Sequence, residues 1–214
     1  MGIKIAITDD HPLVLEGLRN VLTAREDFEI TGAYPDGKSL LAGLQQQLPD
    51  VLLLDVYLPD IKGTELIKTI SHKYPSLRCI ALTSAENLPD INAMIRNGCA
   101  GYLLKNASVQ LLMEAIQKVF EGEDFLEPEI RARLLQANTH AAPQTSPVPL
   151  QLTKRERSIL EMIGAGKTSQ EIASELFLSY RTIQNNRQSL YKKYGVHNSI
   201  ELVRVAIQNG DLPG

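Results

Sequence analysis

The sequence predicts an α/β domain, a doubly wound five-stranded parallel sheet, followed by a small all-α domain, and three observations carry that prediction. Short apolar runs alternate with helical stretches over residues 3–120, the pattern of consecutive βα units. Four of the runs stop at polar groups: Asp9 and Asp10, Asp55, Thr83 and Lys105. Beyond residue 149 strand patterning disappears and only helical spacing remains.

The first run, residues 3–8 (IKIAIT), ends in Asp9-Asp10, and His11-Pro12 starts a helix carrying Leu13, Leu15, Leu18 and Leu22. Residues 28–33 read as the second strand and 39–48 as the next helix. Residues 51–63 (VLLLDVYLPDIKG) hold four apolar residues that run straight into Asp55, with Pro59 and Gly63 imposing a turn. That is a buried parallel strand delivering a carboxylate to its C-terminal end. A helix over 65–74 follows, then a fourth strand, 79–83 (CIALT), ending in Thr83-Ser84. A helix over 91–96 closes on Asn97-Gly98. Residues 100–104 form the fifth strand, ending in Lys105, and 111–120 a helix with Leu112, Ala115, Ile116 and Val119 on one face.

The chain of 214 residues, 43% of them hydrophobic, is long enough for two small cored domains. Residues 1–149 carry 13 Lys and Arg against 19 Asp and Glu, net −6, whereas residues 150–214 carry 9 against 6, net +3. The halves therefore have different electrostatic work. Cys79 and Cys99 lack metal-ligand spacing and sit among apolar residues, as inert buried thiols do in a reducing compartment. No apolar run approaches the roughly 20 residues of a membrane span, and the first residues lack a signal-peptide pattern. A cytoplasmic protein without a membrane partner is expected, where the Asn106-Ala107-Ser108 glycosylation match carries no meaning.

In a parallel sheet the ends of the first, third, fourth and fifth strands share one edge, so Asp9, Asp10, Asp55, Thr83 and Lys105 can converge on one pocket. Three carboxylates held close repel one another, and a hard divalent cation with oxygen ligands, Mg²⁺, relieves that repulsion. A carboxylate facing such an ion can attack a phosphoryl group, while Lys105 and the Thr83 hydroxyl hold the phosphoryl oxygens. Each residue alone has an ordinary structural reading, Asp55 as a helix cap for instance. Their recurrence at matching strand ends favours the site.

With Asp9-Asp10, DVYLPDIKG around Asp55, Thr83, and Gly101 to Lys105 (GYLLK), the first 120 residues resemble the receiver domain of a two-component response regulator, a flavodoxin-like fold. The resemblance implies that Asp55 accepts a phosphoryl group from a sensor histidine kinase. It further implies that Asp10, Asp55 and the backbone carbonyl of Tyr57 bind Mg²⁺, with Asp9 completing the acidic cluster. Thr83 and Tyr102 would be the switch pair, Tyr102 filling the space left as phosphorylated Asp55 draws Thr83 inward. The family sets phosphoryl lifetime two residues beyond the acceptor and two beyond the threonine, here Tyr57 and Ala85; a bulky Tyr57 without a polar helper implies a long-lived acyl phosphate.

Residues 122–149 read as a linker between a receiver domain over 1–121 and a second domain over 150–214. The linker contains a short helix over 127–137 and then a stretch rich in Pro, Ala, Thr and Ser. Thr153 and Glu156 have capping-box spacing ahead of a helix with Ile159, Leu160 and Ile163. Thr168 or Ser169 caps a second helix, and Phe177-Leu178 is a tight corner before Ser179, cap of a third, the shape of a helix-turn-helix. Placed at about 100° per residue, the third helix over 180–194 turns Ile183, Leu190, Tyr191 and Tyr194 to the core. Arg181, Thr182, Gln184, Asn185, Gln188, Ser189, Lys192 and Lys193 lie opposite. Amides flanked by cations and hydroxyls, with no Asp or Glu on the helix, suit base edges and phosphates.

Residues 152–203 also resemble the output domain of LuxR/NarL-type response regulators. On that resemblance Gln184, Asn185 and Gln188 read bases, and Arg181, Thr182, Lys192 and Lys193 hold phosphates of double-stranded DNA. Gln184 and Asn186 depart from the basic residue and histidine common there, and Arg187 falls toward the buried side without an assigned role. The last helix, 199–209, spreads Ile200, Leu202, Val203, Val205, Ala206 and Ile207 wider than one core contact needs. The family dimerises there, which implies a homodimer when phosphorylated, with recognition helices about 34 Å apart, and RNA polymerase as a further partner. An aspartate-nucleophile phosphatase would need a carboxylate where Tyr57 stands, so a regulator and not an enzyme is expected. A regulator that binds DNA without phosphorylation, its receiver serving as a protein-interaction module, is the alternative.

Overall fold

The computed structural model describes residues 2–84, 87–130 and 152–213. Contacts divide the chain into two compact units, Met1–Leu135 and Gln136–Gly214. The first contains β1 (Ile3–Thr8), α1 (Pro12–Thr23), β2 (Phe28–Tyr34), α2 (Gly37–Gln46), β3 (Val51–Asp55), α3 (Gly63–Lys73), β4 (Arg78–Thr83), α4 (Leu88–Arg96), β5 (Gly101–Leu104), α5 (Val109–Phe120) and β6 (Phe125–Leu126). All strand pairs are parallel, in the order β2-β1-β3-β4-β5-β6. The five expected strands are present, and β6 adds a sixth that two residues alone could not signal. It lies beyond residue 121, so the sheet continues into what the sequence presents as the start of the linker.

β3 is buried along its whole length because neighbouring strands flank it on both sides and helices cover the sheet. Burying each leucine-sized side chain there contributes about 1.5–3 kcal/mol. One core cluster packs Ile5, Ile7, Val51, Leu53, Ile80 and Leu103 against Leu112, Ala115, Ile116 and Val119 of α5, the face the sequence spacing selects. The chain winds outward in opposite directions from β1 and β3, so the crevice at their C-terminal ends is the topological switch point. Gly63 fixes the turn beneath that crevice, since a Cβ there would meet the Val56 Cα and carbonyl oxygen at 2.8 Å.

The second unit holds α6 (Lys154–Gly164), α7 (Ser169–Glu175), α8 (Tyr180–Tyr194) and α9 (Ser199–Gln208). Thr153 caps α6 in a full capping box with Glu156, and Thr168, rather than Ser169, caps α7 in another with Glu171. Ser179 caps α8, and Gly195 ends it in the left-handed region at φ 66°. Ile159, Leu160, Ile172, Ile183, Leu190, Tyr191, Leu202 and Ala206 form a separate core. On α9, Leu202 and Ala206 are buried, Ile200, Val203 and Val205 half-buried, and Ile207 exposed. The helix expected over 127–137 is described only at 128–130; residues 131–149 of the linker lie outside the described residues.

Phe177, in the turn between α7 and α8, is the one non-glycine residue with positive φ among the described residues, at 53°, and it is 95% exposed. A side chain in that region costs about 1 kcal/mol or more, which glycine avoids. Phe177→Gly is therefore expected to leave stability unchanged or raise it by up to about 1 kcal/mol, as measured by urea unfolding; a loss above that size would show that the ring has a stabilising contact.

Candidate functional site

The ends of β1, β3 and β5 bring their polar residues together as the strand pattern anticipates. Asp9 is fully buried and Asp55 nearly so, whereas Asp10 is exposed at the rim. The Lys105 ammonium bridges the two buried carboxylates, 2.6 Å from Asp9 Oδ2 and 2.7 Å from Asp55 Oδ2. The Tyr57 backbone N–H donates to Asp55 Oδ1 at 3.1 Å, orienting the acid as the chain leaves β3. Thr83 is buried at the end of β4, and its carbonyl accepts from the Lys105 N–H at 2.8 Å, placing the two residues side by side. Ser84, Leu104, Lys105 and Asn106 line a shallow pocket beside the cluster.

Burial pushes the Asp55 carboxyl up, and the hydrogen bonds from Lys105 and the Tyr57 N–H only partly offset it. Burial works to lower Lys105, yet its bonds to Asp55 and Asp9 prevail and leave the ammonium above its ordinary value. The pair is thus a charged clamp. Tyr102 is fully buried on β5, and burial raises its phenol above the ordinary range, only partly offset by its interaction with the Thr83 hydroxyl. Ala85 lies outside the described residues.

His11 joins the cluster, although the sequence marks it only as the start of α1. Its Nδ1 lies 2.6 Å from Asp10 Oδ1 and 3.2 Å from Asp9 Oδ1, and its backbone N–H donates to Asp9 Oδ1 at 2.9 Å. Ligand atoms of Asp9, Asp10, His11 and Asp55 all lie within 4.8 Å of one another. Two of the three carboxylates share one lysine, and this hard-oxygen donor set with excess negative charge fits a divalent cation such as Mg²⁺.

On α8, Arg181, Asn185, Gln188 and Lys192 are exposed along one face and Thr182 is half-buried, sharing a 2.8 Å hydroxyl contact with Ser179. Gln184 is drawn inward, its amide donating to Tyr180 Oη at 2.8 Å and Ser169 Oγ at 3.3 Å. Lys193, to which the family resemblance gives a phosphate-holding role, has its ammonium 2.7 Å from Glu156 Oε2, a bond that ties α8 to α6. Angular counting gives the direction of a side chain and not the acid that waits for it. Asn186 donates back to the Thr182 carbonyl at 2.7 Å.

Arg187 is buried, as its angle indicates, and it acquires a role that the sequence does not assign. Its Nη1 donates to Ser169 Oγ at 2.7 Å, its Nε and Nη2 to Tyr191 Oη at 3.3 and 3.2 Å, and its Nη2 also to Ser199 Oγ. One guanidinium thereby fastens α8 to the first residues of α7 and α9.

A doubly wound sheet with an acidic pocket at its switch point, joined to a helix-turn-helix unit, defines a signal-responsive DNA-binding protein. Residues 5–117 match the family described as response regulator receiver domain, and residues 150–206 match bacterial regulatory proteins, luxR family. The chain belongs to the two-component response regulators with a LuxR-type helix-turn-helix output domain, which are transcription regulators and not enzymes. It is 30% identical to response regulator GacA of Pseudomonas syringae pv. syringae, with 97% of each chain covered. It is 31% identical to oxygen regulatory protein NreC of Staphylococcus aureus, covering 96% of this chain and 97% of that one. Among solved structures, that of the response regulator RcsB in complex with DNA matches at 29% identity and TM-score 0.59, covering 97% of this chain and 99% of that one. No helix among the described residues is long and apolar enough to cross a membrane.

Glu156, 5% exposed, supports α8 from below. Burial alone would raise its carboxyl, but bonds from Lys193, Thr153 and Ser189 outweigh that and hold it down at about 2, against an ordinary 4.5. Its folded value is depressed, so its contribution is complete above pH 4.5 and disappears as pH falls toward 2. Glu156→Gln should cost about 2 kcal/mol at pH 7, with the difference from wild type shrinking below pH 4.5 in paired denaturant titrations; a pH-independent difference would exclude the charged pair as its source.

Proposed function

We propose that Asp55 is the phosphoacceptor of this response regulator and that its phosphorylation, dependent on Mg²⁺, switches sequence-specific DNA binding by the second unit. The supporting observation is the Lys105 clamp on Asp9 and Asp55, with Asp10 at the rim, inside a switch-point crevice. An oxygen of Asp55 would attack the phosphorus of a phosphohistidine on the sensor kinase, forming the acyl phosphate as the P–N bond breaks. Asp9, Asp10, Asp55 and the Tyr57 carbonyl would hold Mg²⁺, which supplies the charge neutralisation that lets a carboxylate approach a phosphoryl group. Lys105 would exchange a carboxylate oxygen for a phosphoryl oxygen, and Thr83 would bond another. Tyr102 beside Thr83 would answer that movement as the switch residue.

For the output step, Asn185 and Gln188 would read base edges, with Gln184 joining them only if it leaves Tyr180. Arg181, Thr182 and Lys192 would hold phosphates; Lys193 would do so only at the expense of its bond to Glu156. The half-buried and exposed apolar residues of α9 suit isologous pairing in a phosphorylated homodimer. RNA polymerase would be the downstream partner, and the cytoplasm the place of action.

Acetyl phosphate with Mg²⁺ is expected to add one phosphoryl group to the wild type and none to Asp55→Asn, read by intact-protein mass spectrometry. Equal labelling of both would refute the assignment by placing the phosphoryl group on another residue, and no labelling of either would favour a receiver that works only as an interaction module. Tyr57→Asn should shorten the lifetime of the acyl phosphate, and an unchanged decay rate removes Tyr57 as its determinant. Lys192→Ala should weaken binding of all duplexes alike and reduce the salt slope by about 1, measured by titration at several salt concentrations; an unchanged slope would take Lys192 off the phosphate backbone.

A further inference from the structure

The segment by which the chain leaves the first unit is bonded to the strand that carries Tyr102 and leads into Lys105. β6 pairs with β5, Gly101 opposite Phe125 and Tyr102 opposite Leu126. The Phe125 N–H donates to the Ala100 carbonyl at 2.9 Å and the Glu127 N–H to the Tyr102 carbonyl at 3.1 Å. The strand pairing ends there, and a side chain continues the ladder: Glu127 Oε2 accepts from the Leu104 N–H at 2.7 Å. Hydrogen bonds to a carboxylate are shorter than neutral ones and roughly twice as strong.

Leu104 is the residue before Lys105, whose N–H bonds the Thr83 carbonyl and whose ammonium holds Asp9 and Asp55. An unbroken series of bonds therefore runs from the acidic pocket through the β5 backbone to residue 127, next to the helical turn at 128–130. Phe125 anchors this segment, since it is buried in the core beneath α5 with the Lys118 ammonium 5.5 Å from its ring centre.

We propose that Glu127 is a positioning residue that couples the phosphoacceptor pocket to the interdomain segment through the Leu104 amide. The inference rests on the phosphoswitch reading above. When Lys105 and Tyr102 shift on phosphorylation, the backbone of β5 carries residues 126 and 127 with it, because both ends of Glu127, amide and carboxylate, are fastened to that strand. A carboxylate that merely satisfied an edge amide would contribute stability and leave the DNA response intact when removed.

The test compares full-length wild type, Glu127→Leu and Glu127→Gln, each with and without acetyl phosphate and Mg²⁺, on a duplex selected from a random library by the phosphorylated wild type. Glu127→Leu removes the acceptor, while Glu127→Gln keeps a carbonyl oxygen in its place. Glu127→Ala repeats the removal with a smaller side chain should leucine disturb the fold. The wild-type gain in affinity, about 5- to 150-fold for a coupling of ordinary size, should fall below about twofold in the Leu and Ala variants and persist in Gln, with phosphoryl incorporation unchanged in all. Hydrogen exchange at residues 126 and 127 should respond to acetyl phosphate in wild type and Gln but not in Leu or Ala. Equal affinity gains in all four proteins, or the same exchange response in all four, overturn the proposal. Failure of the wild type to incorporate phosphate sinks the phosphoacceptor reading and this inference with it, an outcome distinct from normal incorporation with the coupling intact.

Discussion

Two carboxylates buried at the ends of adjacent parallel strands repel each other, and the first unit is arranged around that repulsion. Lys105 reaches both Asp9 and Asp55 because β5 ends at the same edge as β1 and β3. Burial raises Asp55 while Lys105 holds it back, so the acid is poised by opposing influences and not by a single favourable one. The sheet order that creates the crevice also exposes β5 to whatever happens in it. Chemistry at one carboxylate and geometry at the sheet's far edge are thus parts of the same hydrogen-bonded object.

Most of the first unit is legible because burial leaves few choices. A run such as Val51 to Leu54 has no polar residue to place outward, so it must be a covered strand, and Asp55 then marks its end. Where a short segment owes its structure to a neighbour, the sequence is silent: β6 exists because β5 offers an open edge, and nothing in Phe125-Leu126 announces that. His11 escapes for a related reason, since a residue preceding Pro12 reads as a helix start and its approach to Asp10 depends on where β1 delivers it. On α8 the angular count separates buried from exposed faces well, Arg187 included. It cannot reveal that Glu156 claims Lys193 or that Tyr180 claims Gln184, because those acceptors come from chain positions that meet only after folding.

The second unit shows how a small domain can hold one helix firmly with few residues. Its core is modest, and polar fastenings supplement it: Arg187 joins α8 to α7 and α9, and Glu156 joins it to α6. A planar guanidinium suits three hydroxyl partners in a way that a point-charged ammonium would not.

The hydroxyls around Arg187 also separate mounting from message. The hydrogen bonds of Arg187 that seat α8 lie on its inner side, whereas Arg181, Asn185, Gln188 and Lys192 are exposed. On the DNA-binding role proposed above, substitutions at Asn185 and Gln188 would rewrite which bases are favoured while the scaffold beneath stays put. A lineage carrying this chain could therefore drift toward new regulatory targets by small steps, each leaving a folded protein for selection to work on.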